Sequence, residues 1–415
     1  MLSILRERGG LSRSQIAARS GLSRTTLSEI TGDLLARGAI VVVTTDARER
    51  AGSGRPAELL ALDPRSGQFL GVDLGHSRVR VAVADAAHEI IASEVAAYPS
   101  DMSWPRKLAA GVALVDRLTR EQGITLAALQ GIGVGVAGPY SPDGSRAGVL
   151  AAFADRFTPG VPVIVDNNTR FAALAEAIEG EAPPHAITDR PADGAAAGGV
   201  VGKAGGAAVG SVAGKGGGAA AGNAGRIAGG VAEVNDVLYV RLADGIGGGL
   251  VVGGRLVAGA RGVAGEFGHV RVDPAGEVCR CGKRGCLETI ASVGPALAAA
   301  DVRDLGELAA RRDEARVREA MDQLAEALGR VLADAALILN PDQIVIGGPL
   351  PHAVPAIVAR AGAVIAAELV SVGGPGPLIR AARLGDDDGA RGAIAACFRQ
   401  SPLLDDYPSL SGSPQ

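Results

Sequence analysis

Gly262-Val-Ala-Gly-Glu266-Phe-Gly-His269, then a short extended run, then Cys279-Arg-Cys281-Gly-Lys-Arg-Gly-Cys286-Leu-Glu288: the reading of this stretch decides the rest of the chain. Three of the four cysteines lie in it, with His269 ten residues before the first. Thiolate and imidazole hold Zn²⁺ tetrahedrally, with Zn–S near ~2.3 Å, and three thiolates plus one imidazole leave no position open for a reactive water. A structural zinc on His269, Cys279, Cys281 and Cys286 is therefore expected. Gly282 and Gly285 let the backbone turn tightly enough to aim the sulfurs at one centre. The alternative is a group of buried or disulfide-bonded thiols, but a Cys279–Cys281 bridge would be badly strained and nothing marks an oxidising compartment. Such a clip would gather Glu266, His269 and Glu288 around something small.

Gly-Glu-Phe-Gly-His followed by Cys-x-Cys-Gly-x-x-Gly-Cys-x-Glu resembles the signature of the ROK family, which contains sugar kinases and sugar-responsive transcriptional repressors. The resemblance implies an α/β chain with a two-lobed, actin-like (ribonuclease-H-like) body.

Length and composition fit that expectation. At 415 residues the chain should hold two or three domains, and 47% hydrophobic with 21% charged residues is globular. Aromatics are only 3%, so Ala, Val, Leu and Ile must build the cores. No export leader is expected, since Met1-Leu-Ser-Ile-Leu-Arg-Glu-Arg turns charged after five residues, and no apolar run suits a membrane span. A reduced, cytoplasmic protein is the simplest expectation.

Residues 1–62 read as a separate unit. An opening helix stops at Gly9-Gly10, Ser12 caps a second, Gly21-Leu-Ser makes a turn, and Ser23 caps a third running to about Arg37. Two strands around the loop Asp46 to Pro56 make a wing, so the unit is a winged helix-turn-helix. Ser23, Arg24, Thr25, Thr26 and Ser28 open the third helix, where short polar side chains and an arginine meet base edges. Arg55, in Gly-Arg-Pro, suits a minor groove. Residues 1–60 hold nine arginines against six acids, +3 in a chain of −4. A double-stranded DNA operator is the expected partner, protein contacts being the alternative.

From Gln68 the pattern turns to strands. In the resemblance, Asp73-Leu-Gly75 is the first phosphate loop, although His76-Ser77 follows where family kinases have Gly-Thr. Val161 to Val165 ends in Asp166-Asn167-Asn168-Thr169, where the kinases carry an Asn-Asp pair whose Asp is the general base. Asn168 cannot accept that proton, a loss of typically 10²–10⁴-fold, though an amide still hydrogen-bonds a hydroxyl. Two asparagines in a helix-capping turn are the plainer alternative. Ala243-Asp244 replaces Gly-Thr in the second phosphate loop and puts a carboxylate where nucleotide phosphates would lie. The family pattern places a sugar or sugar phosphate at Asn167, Asn168, Glu266, His269 and Glu288.

The expected domains are 1–62, a first lobe at 66–160, and a second lobe at 161–400. The second lobe is interrupted by a Gly/Ala-rich insertion at 180–232, and the last helix, about 387–398, returns to the first lobe; 401–415 is a disordered tail. The expected function is a DNA-binding regulator, a repressor of carbohydrate genes, acting as a homodimer or tetramer and not as an enzyme. The competing expectation is an ATP-dependent, glucokinase-like sugar kinase with an accessory DNA-binding domain.

Overall fold

The computed structural model describes residues 1–45, 58–124, 129–138, 148–154, 161–179, 236–369 and 376–401. The wing loop with Arg48, Arg50 and Arg55, the Gly/Ala-rich stretch and the tail from Pro402 lie outside the described residues.

The head is built from α1 (Leu2–Arg8), β1 (Leu11–Ser12), α2 (Arg13–Ser20), α3 (Arg24–Ala36), β2 (Ile40–Thr45) and β3 (Glu58–Leu62). Ser12 caps α2 in a reciprocal box with Gln15, and Ser23 caps α3 by accepting from the Thr26 N–H. Gly21, at φ 68°, makes the left-handed turn between the two helices. Arg13 donates to the buried Thr31 hydroxyl at 2.7 Å, fixing α2 against α3. Leu5, Ile16, Leu27, Leu34, Ile40, Leu60 and Leu62 form the core. Leu11–Ser12 also pairs with β3, an addition to the wing too short to show in the sequence pattern.

Two five-stranded sheets follow. The first comprises β4 (Gln68–Leu74), β5 (Arg78–Asp85), β6 (Ile90–Ala97), then, after α4 (Trp104–Glu121), β7 (Leu129–Val136) and, after α5 (Val149–Ala154), β8 (Val163–Asn167). Their order is β6-β5-β4-β7-β8, with antiparallel pairing on the β6 side of β4 and parallel pairing on the other. The strand Val163–Asn167 therefore closes the first sheet; a second lobe opening at 161 is corrected, because parallel bonds to β7 hold this strand in the first.

After α6 (Asn168–Glu179) come β9 (Val237–Leu242), β10 (Ile246–Val252), β11 (Arg255–Leu256), α7 (Glu288–Ala291), α8 (Val293–Ala300), α9 (Leu305–Ala310), α10 (Ala315–Leu339), β12 (Gln343–Gly347), α11 (Pro349–Ala353), α12 (Ala356–Glu368), β13 (Leu378–Ala381) and α13 (Asp388–Gln400). The second sheet, β11-β10-β9-β12-β13, repeats the pairing pattern of the first. Apolar residues of α10 and α12 cover its outer face. Among the described residues no helix is long and apolar enough to cross a membrane.

The lobes are joined by a two-helix layer. α13 lies on β4 and β7 of the first sheet, α6 on β9 and β10 of the second, and the two helices pack on each other. Small residues make that contact close. A Cβ on Gly71 or Gly133 would stand 2.2 or 2.3 Å from the α13 carbonyls of Ala390 and Ala393, and one on Gly392 1.7 Å from Phe171 O in α6. Backbone cannot yield there as a side-chain tip would. Gly392→Ala should therefore cost at least about 1–3 kcal/mol in a thermal or urea melt. Gly294→Ala, on open space in α8, should be nearly neutral. Equal melts for the two would contradict the packing.

Candidate effector cleft and metal centre

A cleft of about 370 Å³ opens where the strand ends of both lobes face one another. Its walls include Asp73 and His76 from the first lobe and Asp244 and Gly245 from the second, with Glu266 and His269 from the glycine-rich stretch.

The two asparagines part company. Asn167 is consumed by the start of α6: its Oδ1 accepts from the Thr169 N–H at 2.8 Å, the Arg170 N–H at 3.3 Å and the Thr169 hydroxyl. Its amide donates to Gly138 O at 2.8 Å. This is the bonding of a helix cap. Asn168 lies one residue on, buried, and donates through Nδ2 to Asp73 at 2.8 Å. Both border the cleft.

Glu266 and His269 face the cleft together, with His269 Nε2 3.9 Å from a Glu266 oxygen. Burial pushes the Glu266 carboxyl above its ordinary pKa, opposed by His269 and then Arg170 and Arg280. The other imidazole nitrogen, Nδ1, lies 3.6 Å from Cys279 Sγ. His269 thus meets the cleft on one side and the sulfurs on the other. Ligand atoms of His269, Cys279, Cys281 and Cys286 all lie within 4.8 Å of one another, and Cys281 and Cys286 Sγ are 3.6 Å apart. A tetrahedron of ~2.3 Å radius has edges near ~3.7 Å, so this unbridged donor set fits a metal ion closely.

Glu288 is placed differently from the expectation. Its carboxylate binds Arg280, with contacts of 2.7 and 2.8 Å, and accepts the Ile246 N–H at 3.0 Å. Arg280 borders the cleft, while Glu288 sits behind it as a brace between the metal loop and the second phosphate loop.

The cleft floor holds residues that the sequence reading missed. Arg241, on an otherwise apolar β9 and buried, lies 3.1 Å from Asp388, 3.8 Å from Asp386 and 4.0 Å from Asp73. Burial works against its charge, yet Asp388 and the other acids outweigh this and hold its pKa above the ordinary value. Tyr239 donates to the second Asp388 oxygen; burial and then that carboxylate push the phenol well up, so it remains a donor. From the first lobe Arg78 pairs with Asp386 and Arg80 with Asp387. An arginine inside an apolar strand and a run of three acids opening a helix were the available signals. Arg170, also buried and missed, pairs with Asp166 and donates to Gly262 O at 2.7 Å, anchoring the stretch that carries Glu266.

In the head, Ser23, Arg24, Thr25, Thr26 and Ser28 are all exposed, while Leu27 between them is buried. Ser23 is already occupied as the cap of α3.

A winged helix-turn-helix ahead of a duplicated, actin-like α/β body defines the class: a sugar-kinase type of fold with a DNA-binding head. Residues 219–400 match the ROK family and residues 1–41 a winged helix-turn-helix DNA-binding domain. A ROK family domain thus follows an N-terminal winged helix-turn-helix in this chain. The chain is 26% identical over 379 residues to the DNA-binding transcriptional dual regulator NagC of Escherichia coli K12, covering 83% of this chain and 78% of that one. A kanosamine kinase from Amycolatopsis mediterranei is 34% identical over 168 residues, 39% of this chain and 55% of the kinase. The fold matches that of a ROK family transcriptional regulator, a homologue of the E. coli MLC protein, with TM-score 0.64 and 20% identity over 95% of this chain and 94% of that one.

The cap assignment is testable without any ligand. Asn167→Ala should lower stability by about 0.5–2 kcal/mol, and Asn167→Ser should recover part of it. Unchanged stability in Asn167→Ala would contradict the cap.

Proposed function

We propose that the protein is a transcriptional regulator, a repressor of carbohydrate genes, whose actin-like body binds a sugar or sugar phosphate and whose winged helix binds an operator. The observation that carries this reading is the exposed N-terminal face of α3, joined in one chain to a cleft lined by Glu266, His269 and the Asn168 amide. Arg24, Thr25, Thr26 and Ser28 would contact the major groove, with Ser23 shaping the helix start and Arg55 reaching the minor groove. Glu266, His269 and the free face of Asn168 would bind sugar hydroxyls. Asn167 and Glu288, whose polar groups are engaged, would position these groups from behind.

Against catalysis stand the non-basic Asn168 amide and three carboxylates, Asp73, Asp244 and Asp386, around the end where phosphates would lie. A likeness to the regulator NagC over 83% of this chain supports this, against 39% for the kanosamine kinase. The protein is proposed to act in the cytoplasm as a homodimer or tetramer. A two-fold dimer would present two α3 helices to half-sites one or more helical turns apart, on a pseudo-palindromic operator.

Gel-shift titration on a duplex selected from random DNA, against glucose, N-acetylglucosamine and their 6-phosphates, tests the assignment. Arg24→Ala should lose DNA yet still bind the active sugar, and Glu266→Ala should keep DNA but ignore it. A normal sugar response in Glu266→Ala would refute the cleft assignment.

The metal is proposed to be a structural Zn²⁺. Elemental analysis of reduced protein should find about one zinc per chain, and Cys281→Ser should lose it together with the sugar response. Full DNA response in zinc-free protein would remove the metal from the account.

A further inference from the structure

The helix that starts in the cleft ends against the DNA-binding head. At its first residue, Asp388 is buried between Arg241 and Tyr239 of the second lobe. Ten residues later, about 15 Å along an α-helix, Phe398 stacks on His88 with ring centroids 3.6 Å apart. His88 belongs to the β5–β6 turn, where its φ is 73°, in the left-handed region that favours glycine. The Asp85 carboxylate holds the turn by accepting the Ala87 and Glu89 N–H groups at 2.8 and 3.1 Å.

From there His88 reaches the head. Its Nε2 bonds Arg6 O in α1 at 2.7 Å. The ring also lies so close to Gly9, the glycine ending α1, that a Cβ there would meet it at 3.2 Å. Ala86 of the same turn is counted in the core of the head, fully buried with Leu5 and Leu60. Arg399, next to Phe398, donates to Gly254 O in the β10–β11 turn of the second lobe, where Arg8 of α1 also comes near. The end of α13 is thus gripped by the head and by both lobes.

We propose that α13 is the strut that couples cleft to winged helix: movement of Asp388 is carried along a helix locked by backbone-to-backbone contact and delivered to α1 through the Phe398–His88–Arg6 contact. This deepens the proposed function by naming the element that would transmit the effector signal. His88 is a positioning residue in it, touching neither sugar nor DNA.

Hydrogen–deuterium exchange of the full-length protein without sugar or DNA reads the coupling at α1, whose Leu5 and Gly9 N–H groups bond Met1 O and Leu5 O. Asp388→Asn, and the milder Tyr239→Phe, change only the cleft end. Each should speed exchange in α1 at least about fivefold, the low end of ordinary coupling between sites. In a His88→Ala background, or in Phe398→Leu should that turn collapse, the same cleft changes should add nothing. Faster exchange confined to β9 and the start of α13, or an effect on α1 that ignores His88, overturns the strut. No sugar enters the experiment, so failure to find an effector would count against the proposed function and leave this result standing.

Discussion

A buried guanidinium organises this molecule. Arg241 lies buried one residue from the end of an apolar strand, where an unpaired charge would cost several kcal/mol. Its neutralising acids come from three places: Asp73 ends β4 of the first lobe, Asp386 precedes α13, and Asp388 begins it. Satisfying one charge therefore fixes the floor of the cleft and the starting point of the last helix. Arg78 and Arg80 complete the arrangement by holding Asp386 and Asp387 from the first lobe.

The second organising element is the metal loop, and its imidazole works in two directions. Nδ1 of His269 is aimed at the sulfurs and Nε2 at Glu266, so an ion on the donor set would fix the orientation of a group facing the cleft. Arg170 and the Arg280–Glu288 pair hold the two ends of the same stretch.

The architecture was legible wherever a pattern is local. Alternating strands, serine caps and the glycine turn of the head are statements about neighbouring residues, and the His-Cys spacing states a donor set directly. What could not be read was which of several polar residues is spent internally. Asn167 and Glu288 both look like ligands in sequence, yet one caps α6, the plainer alternative its neighbours already offered, and the other braces Arg280, which its spatial contacts show. The placement of β8 in the first sheet was missed for a similar reason: an apolar parallel strand carries no label saying which sheet it joins. Arg241 and His88 take their meaning wholly from distant partners, and so their sequence context gave little warning.

The central claim is that sugar binding in the cleft and operator binding at α3 are one linked equilibrium. Linkage requires reciprocity: the factor by which sugar changes operator affinity must equal the factor by which operator changes sugar affinity. Calorimetric titration of the active sugar into free protein and into the protein–operator complex measures the second factor directly. The account predicts a change of about 5–150-fold, equal to that found in the gel-shift titration. The same sugar affinity in both states would contradict it.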